Sequence, residues 1–181
     1  MTRMHPALWL LPALIACSPK VEEGPLEGPG VDDDGRITVE ADELLVGLTH
    51  LQVRNAPKPG KRFGELADAI GNHLFETEPE GWVGAAFRNE GRLNWWTMTV
   101  WTSEEALLDF VVSKPHSTAM SEFDDVSVGG ETRVLWIATD GPLDGLDDML
   151  QQAASSAEPL ADLARAVRLA SPGARTYTTE P

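Results

Sequence analysis

Leu93-Asn94-Trp95-Trp96-Thr97-Met98-Thr99-Val100-Trp101, followed at once by Thr102-Ser103-Glu104-Glu105-Ala106-Leu107, reads as a strand feeding directly into a helix. Side chains alternate along an extended chain, so Asn94, Trp96, Met98 and Val100 share one face, and Trp95, Thr97, Thr99 and Trp101 the other. Large apolar groups on both faces mark a strand covered from both sides. Ser103 is of N-cap type, and Glu104 and Glu105 then fall in the first turn, where the helix dipole favours acids. Leu107, Phe110 and Val111 give that helix its inward stripe, and Pro115 interrupts it.

Outward from this unit the pattern repeats. Asn89-Glu90-Gly91 predicts a hairpin turn back to a strand from Trp82 to Arg88. Phe63, Leu66, Ala67, Ile70 and Leu74 recur at helical spacing, and Glu78-Pro79-Glu80-Gly81 ends that helix. Leu44 to Val53 is a strand closed by Asn55-Ala56-Pro57. Gly129-Gly130 reads as a turn before a last strand, Thr132 to Ala138. The order β-α-β-β-α-β predicts an α+β fold of ferredoxin-like type, its helices on one face of an antiparallel sheet, over residues 37–139.

The ends differ in character. Arg3 precedes an apolar run, Ala7 to Ala16, about half of what a membrane-spanning helix needs. It suits the core of an export signal over residues 1–16. Cys17 is the only cysteine of the chain, which excludes an internal disulfide. Residues 17–36 carry three prolines, four glycines and two acidic clusters, Glu22-Glu23 and Asp32-Asp33-Asp34, and predict an extended tether with nothing to form a core. Residues 140–181 predict a helical C-terminal extension on Leu143, Leu146, Met149 and Leu150, then on Leu160, Leu163 and Val167, with a loose tail from Ser171.

Loss of residues 1–16 removes one base, Arg3, and no acid, leaving 13 bases against 29 acids, a net charge of −16. Such a chain repels phosphate backbones, which argues against nucleic acid as a partner and equally against a helix lying on anionic lipid.

Two resemblances follow. Leu14-Ile15-Ala16-Cys17 resembles the bacterial lipobox, which implies lipid on Cys17 as the membrane anchor. Ser18, in place of the aspartate often associated with inner-membrane retention, points by that resemblance to the outer membrane, on its periplasmic or surface face. The run from Trp95 to Leu107, with Phe110, Ser113 and His116, resembles the dimeric α/β-barrel superfamily, which includes antibiotic-biosynthesis and haem-degrading monooxygenases. That resemblance implies a homodimer, a ligand pocket between sheet and helices, and a small hydrophobic ligand. Several such proteins oxidise aromatic substrates with oxygen alone, so no cofactor is expected, while haem and flavin stay open. Against the haem-degrading pattern, Phe110 stands where a Trp is found, Met120 where a His is found, and Asn55 falls beyond the first strand.

His116 is the candidate catalytic base, because imidazole titrates near neutrality; the alternative is a histidine hydrogen-bonded within its helix. His50, Asn94, Trp96, Phe110 and Met120 are candidate ligand-binding residues, with Trp96 able to stack a flat ligand. Arg92 is a further polar group at the pocket edge, and His73 is expected to be exposed. The histidines show no metal-ligand spacing, so no metal is expected. There is no thiol, P-loop or nucleophile-elbow motif in the domain. The rival reading is a non-catalytic ligand-binding or envelope-interaction module on the same fold.

Overall fold

The computed structural model describes residues 21–138; the expected leader, Cys17 and the expected helical extension of residues 140–181 lie outside them. In chain order the elements are β1 (Val21–Glu23), β2 (Glu43–Val53), α1 (Pro57–Thr77), β3 (Trp82–Glu90), β4 (Asn94–Trp101), α2 (Glu104–Val112), α3 (Lys114–Ser121), α4 (Phe123–Val126) and β5 (Ser127–Ala138). The sheet order is β1-β3-β4-β2-β5, with every pairing antiparallel. Without β1 this is the ferredoxin-like arrangement the sequence predicts.

Local chemistry explains the boundaries. Helix α1 starts with Pro in its first turn, where a missing N–H costs nothing, and stops at Glu78, which turns left-handed (φ 43°) and donates its N–H to the Leu74 carbonyl. Ser103 caps α2, its Oγ accepting from the Ala106 N–H at 3.2 Å. Pro115 stands in the first turn of α3, so the predicted interruption is a clean break between two helices.

Strand β2 divides the core. Leu44, Val46 and Leu48 join Val83, Ala86, Met98, Val100, Leu135 and Ile137 in one cluster. Leu45, on the opposite face, joins Leu74, Trp82, Ala85, Trp101, Ala106, Leu107, Phe110 and Val111 under the helices.

Two expectations are corrected. Residues 21–36 are not a free tether. Strand β1 pairs with β3, from Val21 opposite Glu90 to Glu23 opposite Arg88. The chain then crosses the sheet face away from the helices, where Leu26, Val31, Ile37, Val39 and Ala41 pack on the first cluster. Half-burying such side chains contributes roughly 1 kcal/mol apiece. The contact is close: a Cβ on Gly28 would lie 2.4 Å from the Gly84 Cα and 2.4 Å from the Val83 carbonyl oxygen. Gly129-Gly130 is also no turn but part of β5, which begins at Ser127. Gly130 fits there because a Cβ would meet the His50 carbonyl oxygen at 2.5 Å.

Candidate functional site

His116 stands at the start of α3, beneath the end of α2. Its Nδ1 lies 3.1 Å from the Val111 carbonyl oxygen. A carbonyl only accepts, so Nδ1 carries the proton and Nε2 holds the lone pair of the neutral ring. Burial pushes the imidazole below its ordinary titration range, and the Val111 hydrogen bond offsets part of that shift. No residue among those described hydrogen-bonds Nε2. The ring packs on Phe110, with centroids 4.8 Å apart, and Phe110 packs on Trp101 at 5.1 Å. The Ser113 hydroxyl, in the break between α2 and α3, is buried without a partner. Met120 follows His116 by one helical turn and is half-buried.

His73 is drawn into this group against expectation. It is half-buried, its ring parallel to that of Phe110 (9°) at 6.4 Å, and its Nδ1 lies 3.2 Å from the Thr77 hydroxyl. Its place three residues after Ile70, which packs on the helix-side core, was the signal for it.

The other candidates do not join His116. His50 and Trp96 are register partners on β2 and β4, and their rings stack at 4.2 Å and 25°. Trp96 packs with the cluster under the N-terminal strap, whereas Phe110 belongs to the cluster under the helices. Asn94 shares the Trp96 face by alternation, and its Nδ2 reaches the Glu90 carbonyl at 3.5 Å. The expectation of one pocket is therefore corrected. The sheet stands between His50, Asn94 and Trp96 on one side and Phe110, His116 and Met120 on the other.

A recess of about 120 Å³ opens on the helix side, at the end of the sheet where β3 turns into β4. It is lined by Phe63 and Gly60 of α1, Trp95 of β4, and Val53, Arg54, Asn55, Ala56, Arg92 and Leu93. The Phe63 and Trp95 rings lie 5.3 Å apart and both are half-buried. Arg54 is fixed by two hydrogen bonds to the main-chain carbonyl of Asp124, at 2.8 and 3.1 Å, so its charge has no carboxylate partner there. Behind it Arg62 grips Glu122 through two bonds of 2.6 Å, which hold the Glu122 carboxyl below the usual carboxylate range. Among the described residues no three His, Cys, Asp or Glu side chains gather as a metal site, and no helix is long and apolar enough to cross a membrane.

No protein-family description matches the chain, and no curated protein matches it. Solved structures of similar chain path do exist. A Fusobacterium nucleatum protein provisionally designated a monooxygenase is 20% identical, with a TM-score of 0.46, over 61% of this chain and 51% of that one. The chain thus spans about half the length of that protein. SnoaB, a cofactor-independent oxygenase of Streptomyces nogalater, is 15% identical with a TM-score of 0.39, over 58% of this chain and 100% of its own. Rv0793 of Mycobacterium tuberculosis is 14% identical with a TM-score of 0.43, over 56% of this chain and 97% of its own. Chain paths alike at such identities are compatible with unrelated chemistry.

Proposed function

We propose that this chain is an exported lipoprotein, held by lipid on Cys17 to the outer membrane at its periplasmic or surface face. Its monooxygenase-like domain binds a flat hydrophobic small molecule on the helix side of the sheet and oxidises it with oxygen. The ligand supplies the electrons and no cofactor takes part. The observation that carries this reading is His116: a neutral imidazole, fixed through Nδ1, with its Nε2 lone pair unspent beside Phe110. Such a base suits removal of an acidic proton from a ligand, which leaves an anion rich enough in electrons to react with oxygen. The Phe63–Trp95 recess is the ligand's entry. A homodimer, in this reading, uses the half-face around His50 and Trp96 that the strap leaves open.

One observation favours a second reading, a binding module without chemistry. The His116–Val111 hydrogen bond already satisfies a carbonyl in the last turn of α2, and Leu45, Trp101, Leu107 and Phe110 fill the space beside it. Native mass spectrometry of the full chain from expressing cells separates the two. A defined adduct that is consumed with oxygen uptake, and consumed no longer in His116→Ala, supports the oxidation. An adduct released unchanged supports the binding module, and a chain that carries no adduct, after exposure to quinones, flavin and haem as well, removes both.

A further inference from the structure

We propose that the outer edge of β5 is an interface for a second copy of this chain, the two β5 strands pairing antiparallel about a twofold axis at Thr132. The contact is independent of the oxidation chemistry and separate from the half-face around His50 and Trp96, which it leaves open on the same side of the joined sheet in both copies.

The sheet leaves one edge to fill. β5 is its last strand and bonds only to β2. Along the other edge the strap has taken the bonds of β3. There the N–H groups of Gly24, Glu27 and Gly30 donate to the carbonyls of Phe87, Ala85 and Val83 at 2.8, 3.0 and 2.9 Å. The strap itself carries Pro25 and Pro29, which have no N–H to offer a further strand. Among the described residues β5 is therefore the one long strand with an unpaired row of donors and acceptors. Two of its side chains are apolar and bare, Val128 at 58% and Trp136 at 41% of full exposure. Val128 also lacks a partner on β2, because Gln52 stands opposite Gly129 and Val53 opposite Ser127.

Symmetry limits the registers. When identical strands pair antiparallel about a twofold axis, the residue on the axis faces its own copy, because outward-bonding positions must meet outward-bonding positions. With Thr132 on the axis, Glu131 faces the partner's Arg133, and Arg133 faces the partner's Glu131. The same register sets Val128 against the partner's Trp136 at both ends of the contact. Moving the axis by one residue puts Glu131 against the partner's Glu131, or Arg133 against the partner's Arg133. Either shift opposes like charges and parts Val128 from Trp136. One register thus serves the charges and the apolar pair together. Across the sheet Thr97, Thr49 and Thr132 are successive register partners, and the Thr49 and Thr132 hydroxyls lie 3.2 Å apart. The second copy continues that row. Arg133 and Glu131 already meet along their own strand at 3.4 Å, so pairing brings four charges of alternating sign together. Charges and a bulge on an edge strand ordinarily discourage pairing; here they leave a single favourable register.

The test uses the full chain with Cys17→Ser, so that an introduced thiol has no other thiol to react with in its own chain. Cα atoms directly opposite in an antiparallel pair lie about 4.5–5.5 Å apart, within reach of a disulfide. Thr132→Cys, at an exposed position, should cross-link to its own copy under mild oxidation. Val128→Cys and Trp136→Cys, at opposite ends of the contact, should each stay uncross-linked alone and should cross-link when mixed. In sedimentation Arg133→Glu should weaken the dimer about tenfold, since it opposes like charges at two places. Adding Glu131→Arg to it should restore the dimer, because the opposed pairs are again of unlike sign. A chain that stays monomeric at every concentration, with no Thr132→Cys cross-link, overturns the contact. So does a dimer in which Thr132→Cys fails to cross-link, and that result leaves a dimer through the half-face standing. Self-cross-linking of Glu131→Cys or Arg133→Cys in place of Thr132→Cys overturns the register.

Discussion

The Nδ1–H of His116 donates to the Val111 carbonyl across 3.1 Å, tying the start of α3 to the end of α2 over the break at Pro115. Because burial lowers the imidazole's titration, the unfolded chain binds the extra proton first. Stability is then fully present above the ordinary histidine value of 6.5 and is lost as pH falls from there toward the folded value. Thermal unfolding followed across this range should show the melting temperature dropping below about pH 6.5. In His116→Ala that drop flattens, and the variant is less stable at neutral pH by about 1–3 kcal/mol, since it leaves the Val111 carbonyl unpaired.

A second acid response belongs to Glu122. Its carboxyl is held low by Arg62, so its contribution is present above the ordinary carboxylate range and disappears only as pH falls through the lowered value. Side-chain NMR titration should find Glu122 below the usual carboxylate range, and Arg62→Gln should return it to that range. A Glu122 that titrates at the usual carboxylate value would show the bidentate pair absent in solution.

The two faces of the sheet should answer independently. His50→Ala and Trp96→Ala lie across the sheet from the recess, so each leaves affinity for a recess ligand within about twofold. Phe63→Ala removes one of the two rings and weakens that affinity about tenfold, from an aromatic contact of roughly 0.5–1.5 kcal/mol together with lost burial. Titration of the same ligand against the three variants checks this. Equal losses in all three would mean that the sheet does not separate the groups.

The strap predicts a packing phenotype. Gly28→Ala drives a methyl group into the backbone of Val83 and Gly84, and such overpacking costs about 1–3 kcal/mol. Denaturant unfolding should register the loss. Native mass should show more self-association, because Val46, Met98, Val100 and Leu135 lose their cover. An unchanged midpoint with unchanged mass would mean the strap is not seated in solution.

How far the chain could be read from its residues depended on distance along it. The strand and helix spans between Leu44 and Trp101 follow from alternation, turn residues and the Ser103 cap, all of which act within a few positions. The strap escaped because its five packing residues are scattered among prolines, glycines and aspartates, and its register comes from the backbone of β3, far along the chain. The faces of Asn94 and Trp96 were legible, yet their separation from Phe110 was not, since it depends on which face the helices cover. The nearness of His116 to Phe110 was not legible either, since it comes from the break that turns α3 back against the end of α2. The recess required the start of α1 to meet the β3–β4 turn, a contact with no local signature.

The pairing of β1 also fixes an order of events in time. A growing chain presents its N-terminal residues first, yet Val21 has nothing to bond with until Glu90 is in place, and Gly28 has no floor until Val83 and Gly84 are. Contacts of such high sequence separation form late, after the loop between them has closed. The segment that is made first is therefore the last to settle. Until it does, the sheet face beneath it is bare, which makes the interval between emergence and strap docking the moment at which this chain is most prone to associate with its neighbours.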